Sequence, residues 1–263
     1  LTDEELTAFT DAYLDLLDRT RYFAAVADRV HGWPYDHPDH TWGYGTWWSG
    51  VTASREGNTV RFLHSPDGAD NNGLRSAQLL ESACFATALW ERDADAALTD
   101  DLVRGFISWS MSMERGSRPT DNLLSRAAYP VSYETQHGDV TLQVDYSLNR
   151  PGIDNGASEY VRIADNPHWG DIWIKNKRSK DDIGHMFRAM AHTTACYDAL
   201  SPGGRVDVDD LWTRYLAWAR RVEDERSRIA TFDADLNIYI PEESLAVYID
   251  VPGIDCAGRL MLR

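Results

Sequence analysis

The sequence predicts a mainly α-helical protein of helical hairpins that carries a small inserted antiparallel β-sheet. Apolar residues recur at helical spacing in five segments, which are residues 2–31, 73–92, 100–114, 180–199 and 207–230. Between them, residues 140–146 alternate apolar and polar, as in a strand with one buried face. We expect one domain over residues 1–263, with a β-rich insertion at 131–175.

Local signals set the predicted helix boundaries. Thr2 and Glu5 form a capping box, after which seven apolar residues fall largely on one stripe: Leu6, Phe9, Tyr13, Leu16, Leu17, Phe23 and Val30. The segment 73–92 is apolar on most sides, which predicts a central helix. Thr99 and Ser179 are the predicted N-caps of helices 100–114 and 180–199. Residues 2–31 are expected to pair with 73–92, and 180–199 with 207–230, leaving 100–114 unpaired.

The remaining elements are short strands. They are expected at 59–63, 131–134, 160–163, 171–175, 237–240 and 245–251. The strand at 131–134 is predicted to form a hairpin with 140–146, because His137, Gly138 and Asp139 supply a turn between them.

The chain is strongly acidic. It has 26 Lys and Arg against 42 Asp and Glu, a formal net charge of −16. Such a surface repels phosphate, so nucleic acid and anionic membranes are poor partners. No apolar run approaches the roughly 20 residues that span a bilayer. We expect an extracytoplasmic protein, secreted or periplasmic.

The cysteines and the chain ends suggest a partner. Cys84 and Cys196 lie in helical apolar patterns and are expected to be buried without a bridge, while Cys256, in a loop, is the better disulfide candidate. The chain starts at Leu1 rather than Met and ends on the apolar run 259–263. We therefore expect further polypeptide or a second chain to complete the fold.

A basic junction is the first candidate binding site. Lys175, Lys177, Arg178 and Lys180 stand where a strand leads into the helix at 180–199. Free N–H groups and the helix dipole attract anions there, which predicts a pocket for a carboxylate, sulfate or phosphate. The alternative is a solvated turn whose bases pair with neighbouring Asp residues.

The same helix carries candidate catalytic residues. Asp181 lies one turn before His185, and His192 lies close to the same face. A carboxylate one turn before an imidazole can orient it as a general base, and the pair could also bind a metal with a third ligand from elsewhere. The alternative is that Asp181 only stabilises the first turn.

Two loops carry candidate metal ligands. Asp67, Asp70, Asn71 and Asn72 offer the hard oxygen ligands that calcium uses, although no EF-hand pattern is present. They could instead supply an active-site carboxylate or cap the helix that follows. His37 and His40 could chelate a metal in a second, proline-containing loop. A divalent metal such as calcium is therefore a possible cofactor.

An aromatic loop follows at residues 42–48. It contains four large rings, those of Trp42, Tyr44, Trp47 and Trp48. Aromatic faces suit the C–H faces of sugar rings, which predicts a carbohydrate-binding surface. The alternative is that the rings pack the loop onto the helices.

The run from Asp67 to Leu74 resembles the Asp-Asn-Gly-Leu helix openings found in α/α-toroid carbohydrate-active proteins. In those proteins helical hairpins ring a central axis, and long loops at one end build the site. The resemblance extends loosely over residues 75–200 and implies a glycoside hydrolase or polysaccharide lyase acting on an acidic or substituted glycan. The chain is shorter than a full six-hairpin ring.

The resemblance and the motifs together assign expected roles. The aromatic loop would hold sugar rings, and Lys177, Arg178 and Asn71 would bind the substrate. His185 or Tyr129 would be the base, with Asp70 or Asp181 as its carboxylate partner. The alternative function is a non-catalytic extracellular binding or assembly module that uses the Trp-rich loop as its interface.

Overall fold

A computed structural model describes residues 1–31, 51–64, 72–118, 121–130, 133–145, 153–154, 157–158, 160–176, 180–226 and 228–242. The helices are α1 (Asp3–His31), α2 (Asn72–Trp90), α3 (Asp93–Ser110), α4 (Lys180–Cys196) and α5 (Pro202–Asp224), with a 3₁₀ turn at Tyr197–Ala199. They hold more than half of the described residues, which confirms a mainly α-helical protein.

The strands are all short. They are β1 (Val51–Glu56), β2 (Thr59–His64), β3 (Ala127–Pro130), β4 (Tyr133–His137), β5 (Val140–Asp145), β6 (Ile153–Asp154), β7 (Ala157–Ser158), β8 (Tyr160–Asn166), β9 (Gly170–Lys175), β10 (Thr231–Phe232) and β11 (Ile238–Tyr239).

Helix α1 begins with the predicted capping box. The Thr2 amide donates to Glu5 Oε2 at 2.8 Å, and the Glu5 amide donates to Thr2 Oγ1 at 3.2 Å. The predicted inner stripe is only partly buried. Leu17 lies in the core, whereas the side chains of Leu6, Phe9 and Leu16 are exposed. The described residues therefore leave an apolar face of the N-terminal half of α1 uncovered.

Helices α2 and α3 form the first hairpin. Glu91, with φ +50°, ends α2 next to the turn, and the Thr87 and Thr99 hydroxyls meet at 3.2 Å beside it. At the other end of the hairpin, Gly73 lies against the indole of Trp109. The expectation that residues 100–114 stand unpaired and start after Thr99 was wrong. Helix α3 starts at Asp93, and the Thr99 hydroxyl donates to the Asp95 carbonyl inside it.

Helices α4 and α5 form the second hairpin, as predicted. Trp212 Nε1 donates to Thr193 Oγ1 at 3.4 Å, and the rings of Phe187 and Trp218 lie 5.8 Å apart. Helix α5 begins at Pro202, five positions before the predicted start at 207. Ser201 is its N-cap, because its Oγ accepts a hydrogen bond from the Gly204 amide at 2.9 Å.

The two hairpins stack first helix on first and second helix on second. Glu81 and Cys84 of α2 contact Arg188 and Cys196 of α4, so both sequences advance in the same direction. Between α3 and α5, Arg104 Nε donates to Asp207 Oδ2 at 2.8 Å, and the Tyr215 hydroxyl donates to the Phe106 carbonyl at 3.2 Å. Each stacked pair of helices therefore runs parallel.

This stacking places four chain segments at one end, which we call the sheet end. It holds the starts of α2 and α4, at Asn72 and Lys180, and the ends of α3 and α5, at Ser110 and Asp224. The segments before α4 and after α5 also meet there, because Asn176 and Phe232 exchange two hydrogen bonds of 2.5 and 2.9 Å.

A disulfide joins the two hairpins, which corrects the expectation for the cysteines. Cys84 in α2 and Cys196 in α4 are fully buried, as predicted, but they are bonded to each other. The two residues stand 112 positions apart. Their proximity follows from the parallel stacking of α2 on α4, which no local pattern reveals. Cys256, the predicted disulfide candidate, lies outside the described residues.

The β-structure is more extensive than predicted. Strands β4 and β5 form the expected hairpin, but they belong to a sheet ordered β1-β2-β5-β4 in which β2 and β5 are parallel. This sheet is mixed rather than purely antiparallel, and half of it precedes the predicted insertion. A second, antiparallel sheet has the order β3-β9-β8 and starts at Ala127, before the predicted boundary at 131.

The antiparallel sheet docks at the sheet end through two buried side chains, Asn166 and Trp169. Asn166 Nδ2 donates to the carbonyls of Met111 and Ser112, at 2.9 and 3.0 Å, just after α3 ends. Trp169 Nε1 donates to the Ser108 carbonyl at 2.8 Å. Because these contacts are buried, the sheet is fixed to the end of α3.

The opposite end contains a half-buried acidic side chain. Asp100 of α3 faces the first turn of α5, where an added Cβ at Gly204 would lie 2.1 Å from Asp100 Oδ1. Burial raises the pKa of Asp100, against the opposing effect of the Arg104 charge. A glycine is therefore required at 204 for this close approach.

The chain after α5 contains a short pair of strands. β11, which lies within the predicted strand at 237–240, pairs with β10. The predicted strand at 245–251 lies outside the described residues.

Among the described residues, no helix combines the length and apolar character needed to cross a membrane.

Candidate functional site

The fold brings several of the predicted site segments toward the sheet end. β3, which contains Tyr129, pairs with β9, with Tyr129 opposite Trp173. The Arg126 amide also donates to the Lys175 carbonyl at 2.9 Å. β9 in turn leads toward the start of α4. The strand that holds Tyr129 therefore lies beside the strand that leads into the predicted basic junction.

Most of the residues predicted from sequence lie outside the described part of the chain. These are Trp42, Tyr44, Trp47, Trp48, Asp70, Asn71, Lys177 and Arg178, together with the alternative metal ligands His37, His40 and Asp67. The backbone places Tyr129 in β3 and Asp181 in the first turn of α4. His185 is partly buried one turn further along α4. The convergence of Asp70, Tyr129 and His185 stays a prediction.

A carboxylate–imidazole pair at the sheet end was missed by the sequence analysis. His168 Nε2 lies 2.8 Å from Glu114 Oε2. Glu114 follows the turn after α3, and His168 lies in the turn between β8 and β9. Both side chains are partly exposed. The pair is therefore accessible to a ligand at this end of the hairpins.

One buried asparagine holds the two turns together. Asn166 Oδ1 accepts hydrogen bonds from the amides of His168 and Trp169, at 2.9 and 2.7 Å. Its Nδ2 donates to carbonyls in the turn that precedes Glu114. The turn that carries His168 is thus fixed relative to the turn that carries Glu114, as a pre-organised proton-transfer pair requires.

A guanidinium completes the cluster. Arg214 Nη1 lies 3.9 Å from Glu114 Oε1, and its Nε donates to Asp210 Oδ2 at 2.8 Å. Arg214 is on α5, so three separate parts of the chain contribute to the group. The Glu114–His168–Arg214 cluster can move a proton through the imidazole and bind an anion through the guanidinium.

A small cavity adjoins this cluster. It has a volume of about 40 Å³, and Glu114, Asn122, Arg214 and Trp218 are among the residues that line it. One ordered water needs about 10–15 Å³ of such space, so the cavity has room for a few waters and a sugar ring would have to lie over its mouth. Asn122 adopts φ +50° there, a backbone conformation that is uncommon outside glycine.

A buried ion pair and its neighbouring contacts hold the loop that lines the cavity. Arg115 Nη2 donates to Asp121 Oδ2 at 3.0 Å, and the Arg115 guanidinium stacks 4.7 Å from the centre of the Phe232 ring. Arg115 also donates to the Leu236 carbonyl, and Arg221 donates to the Asp121 carbonyl. The loop after α3 is therefore tied both to the tail and to the end of α5.

His192 belongs to a different network on the face between α2 and α4. Its Nδ1 lies 3.1 Å from Glu81 Oε1, and Arg188 Nη2 donates to Glu81 Oε2 at 2.7 Å. The imidazole also packs edge-on against Phe85, with ring centres 4.9 Å apart. These contacts join α2 to α4, so His192 holds the helices together.

The predicted metal sites have no counterpart in the described residues. No group of three or more His, Cys, Asp and Glu side chains there is arranged to hold a metal ion. Asn72 is the first residue of α2, and the other predicted calcium ligands, Asp67, Asp70 and Asn71, fall outside the described ranges.

Two features explain why Glu114 and His168 were overlooked. They stand 54 positions apart in sequence, and neither belongs to a recognisable motif. The available signal was the sequence His168-Trp169-Gly170-Asp171, in which a histidine lies just before a predicted strand. Because the partner comes from the far side of the insertion, the pairing depends on tertiary structure.

Comparison with known proteins does not extend these observations, since no family model, curated protein or solved structure matches the chain.

Proposed function

We propose that the protein is a carbohydrate-active enzyme that cleaves an acidic glycan at the sheet end, by lyase chemistry. The observation that carries this proposal is the Glu114–His168 pair with Arg214 beside it. It lies at the end of the hairpins where the segments with Lys177 and Arg178 and with Asp70 and Asn71 adjoin the described helices. These residues would add substrate contacts to the same site.

The stacking of the hairpins supports a toroid-like architecture for the proposed enzyme. Two successive hairpins, α2–α3 and α4–α5, pack first on first and second on second. Repetition of that packing builds an arc of helices around an axis, with the connecting loops gathered at the ends. We propose that the chain forms such an arc.

The cluster suits β-elimination at a uronate. The guanidinium of Arg214 has five N–H donors, and the one on Nε is bound to Asp210. The donors on its Nη atoms would bind the uronate carboxylate and so lower the pKa of the C5 proton. The His168 imidazole would take that proton, with Glu114 stabilising the resulting imidazolium. The electron pair would form the C4–C5 double bond as the C4–O bond breaks, and the leaving oxygen would take a proton from water or a side-chain acid.

Lyase chemistry fits better than hydrolysis. A glycosidase needs two carboxyl groups on opposite sides of the bond, one as acid and one as base or nucleophile. Among the described carboxylates near the cavity, Glu114 is bound to His168, Asp121 to Arg115, and Asp210 to Arg214. Each is already engaged with a cationic or imidazole partner, which favours a histidine base.

The disulfide supports an extracytoplasmic location for this enzyme. Disulfides form and persist in oxidising compartments and are rare in the reducing cytosol. The Cys84–Cys196 bond is buried between two core helices, where it would act as a permanent structural bond. A secreted or periplasmic enzyme would also meet extracellular acidic glycans.

The test is a product assay on pectate, alginate and glycosaminoglycans. A lyase yields unsaturated uronate ends that absorb in the ultraviolet, whereas a hydrolase releases reducing ends without that absorbance. His168→Ala and Glu114→Gln should each lower kcat/KM by roughly 10²–10⁴-fold, the usual contribution of a general acid or base. His192→Ala, which removes a histidine on the α2–α4 face, is the matched control, with activity compared per folded molecule as judged by circular dichroism.

Two results would contradict the proposal. One is full activity in His168→Ala, which would place the base elsewhere. The other is binding of these glycans without any product. That second result would favour the alternative function, a non-catalytic binding module that uses Trp42, Tyr44, Trp47 and Trp48.

A further inference from the structure

A groove between α1 and α2 exposes an unusual amount of apolar surface. Five large apolar side chains with exposed fractions from 40% to 68% lie on the two helices that form it. They are Leu6, Phe9 and Leu16 on α1 and Phe85 and Leu89 on α2, of which Leu16 lines the groove and Phe85 also contacts His192 of α4. Single exposed apolar residues are ordinary on a protein surface. A contiguous set of them marks an interaction site.

The spacing of these residues makes the surface continuous. On α1, Leu6, Phe9, Tyr13 and Leu16 follow one another at intervals of three, four and three, so they form one stripe. On α2, Gln78, Ser82, Phe85 and Leu89 are spaced by four, three and four. The two stripes meet where the Tyr13 hydroxyl donates to the Ser82 carbonyl at 3.1 Å.

A cavity of about 220 Å³ lies between the two helices. Tyr13, Leu16 and Leu17 line it from α1, and Leu79 and Ser82 line it from α2. It is large enough for one or two apolar side chains inserted from outside. Grooves of this kind accept an amphipathic helix whose apolar residues repeat at i, i+3, i+4 and i+7.

The charge around the groove selects among possible occupants. The N-terminal part of α1 contains six carboxylates, Asp3, Glu4, Glu5, Asp11, Asp15 and Asp18. Asp15 pairs with Arg19, and Asp18 pairs with Arg21 and Arg92, so the excess negative charge of this segment comes from the other four. Glu91 and Asp93 add exposed carboxylates at the α2–α3 turn. A second copy of the chain docked symmetrically would bring its own acidic α1 against this one, which like-charge repulsion disfavours.

We propose that the α1–α2 groove binds an amphipathic helix of a partner protein, with lysines or arginines beside its apolar face. The apolar residues of that helix would cover Phe9, Leu16, Phe85 and Leu89. Its basic residues would lie near the carboxylates of α1. This surface is separate from the Glu114–His168–Arg214 cluster, so the inference does not depend on the proposed reaction.

The test uses two synthetic helical peptides with leucine at i, i+3, i+4 and i+7. One has lysine at its remaining positions, and the other has glutamate. Fluorescence anisotropy should show saturable binding of the lysine peptide, weakened by salt, and much weaker binding of the glutamate peptide. Phe9→Ser and Leu16→Ser should each weaken the lysine peptide at least about tenfold, because each removes a large buried contact.

Val206→Ser is the matched control, since Val206 is 66% exposed on α5, away from the groove. It should leave peptide affinity unchanged. Circular dichroism should show that all three variants stay folded, because they replace exposed side chains. Equal affinity for both peptides, or unchanged affinity in Phe9→Ser and Leu16→Ser, would overturn the proposal. So would a dimer in sedimentation that Leu16→Ser dissociates, because the groove would then bind a second copy.

Discussion

We expect Gly73→Ala to destabilise the protein through a steric clash with Trp109. A Cβ at position 73 would lie 2.2 Å from Trp109 Cη2 and 2.6 Å from Cζ3, whereas ordinary carbon contacts are about 3.5–4.0 Å. The indole would have to move by more than about an ångström to restore such a contact. It is fully buried, and its Nε1 donates to Ser125 Oγ at 3.2 Å.

The magnitude follows from three opposing contributions. Overpacking a core costs about 1–3 kcal/mol, and a strained or lost indole hydrogen bond costs about 0.5–1.5 kcal/mol more. Replacing glycine by alanine in a helix regains about 0.5–1 kcal/mol. The free energy of unfolding should therefore fall by about 2 kcal/mol, measured from urea-induced unfolding followed by circular dichroism.

Gly184→Ala is the matched control for this experiment. It makes the same substitution in helix α4, where an added Cβ meets nothing within 4 Å. It should raise the free energy of unfolding by about 0.5–1 kcal/mol. If Gly73→Ala proved as stable as Gly184→Ala, Trp109 would not lie against the start of α2, and the register of the first hairpin would be wrong.

The other predictions concern the bonds between and within the hairpins. The free energy of unfolding of the Cys84→Ala/Cys196→Ala double variant, measured in urea under non-reducing conditions, should be lower than that of the parent by about 2–5 kcal/mol. Titration of the denatured parent should detect two more thiols after reduction than before it. A loss below about 1 kcal/mol would argue against the bridge. Because burial raises the pKa of Asp100, its stabilising protonation is complete below the unfolded pKa and is lost as the pH rises through the folded pKa. Asp100→Asn should therefore be more stable than the parent at neutral pH, and this advantage should vanish on acidification below about pH 4; an advantage that is independent of pH would contradict the assignment. Ser201→Ala should cost about 1 kcal/mol by removing the acceptor of the Gly204 amide, and a cost near zero in the same unfolding assay would show that the cap contributes little.

Features encoded by local sequence were predictable. The capping box of Thr2 and Glu5 forms as expected, because both partners lie within one turn. The alternation over residues 140–146 and the turn before it correctly predict the β4–β5 hairpin. In each case the pattern reflects contacts between residues no more than eleven positions apart.

Features that depend on long-range packing were not predictable. The Cys84–Cys196 bond requires α2 to lie parallel to α4. Each cysteine alone fits the apolar pattern of its helix as a small buried residue would, so the sequence does not indicate the bond. The Glu114–His168 pair needs Asn166 to join two distant turns. Thr99 has the chemistry of an N-cap, yet α3 extends one and a half turns before it, because Leu98 is buried and continues the apolar face.

The central claim is that the sheet end holds the site, and it can be tested by NMR with a histidine-labelled protein. Titration with an oligogalacturonate should shift the imidazole resonances of His168 saturably, while those of His192, in the Glu81 network, stay in place. Glu114→Gln should weaken the response of His168. A ligand that moves His192 and leaves His168 unchanged, or one that binds without moving His168, would contradict this account.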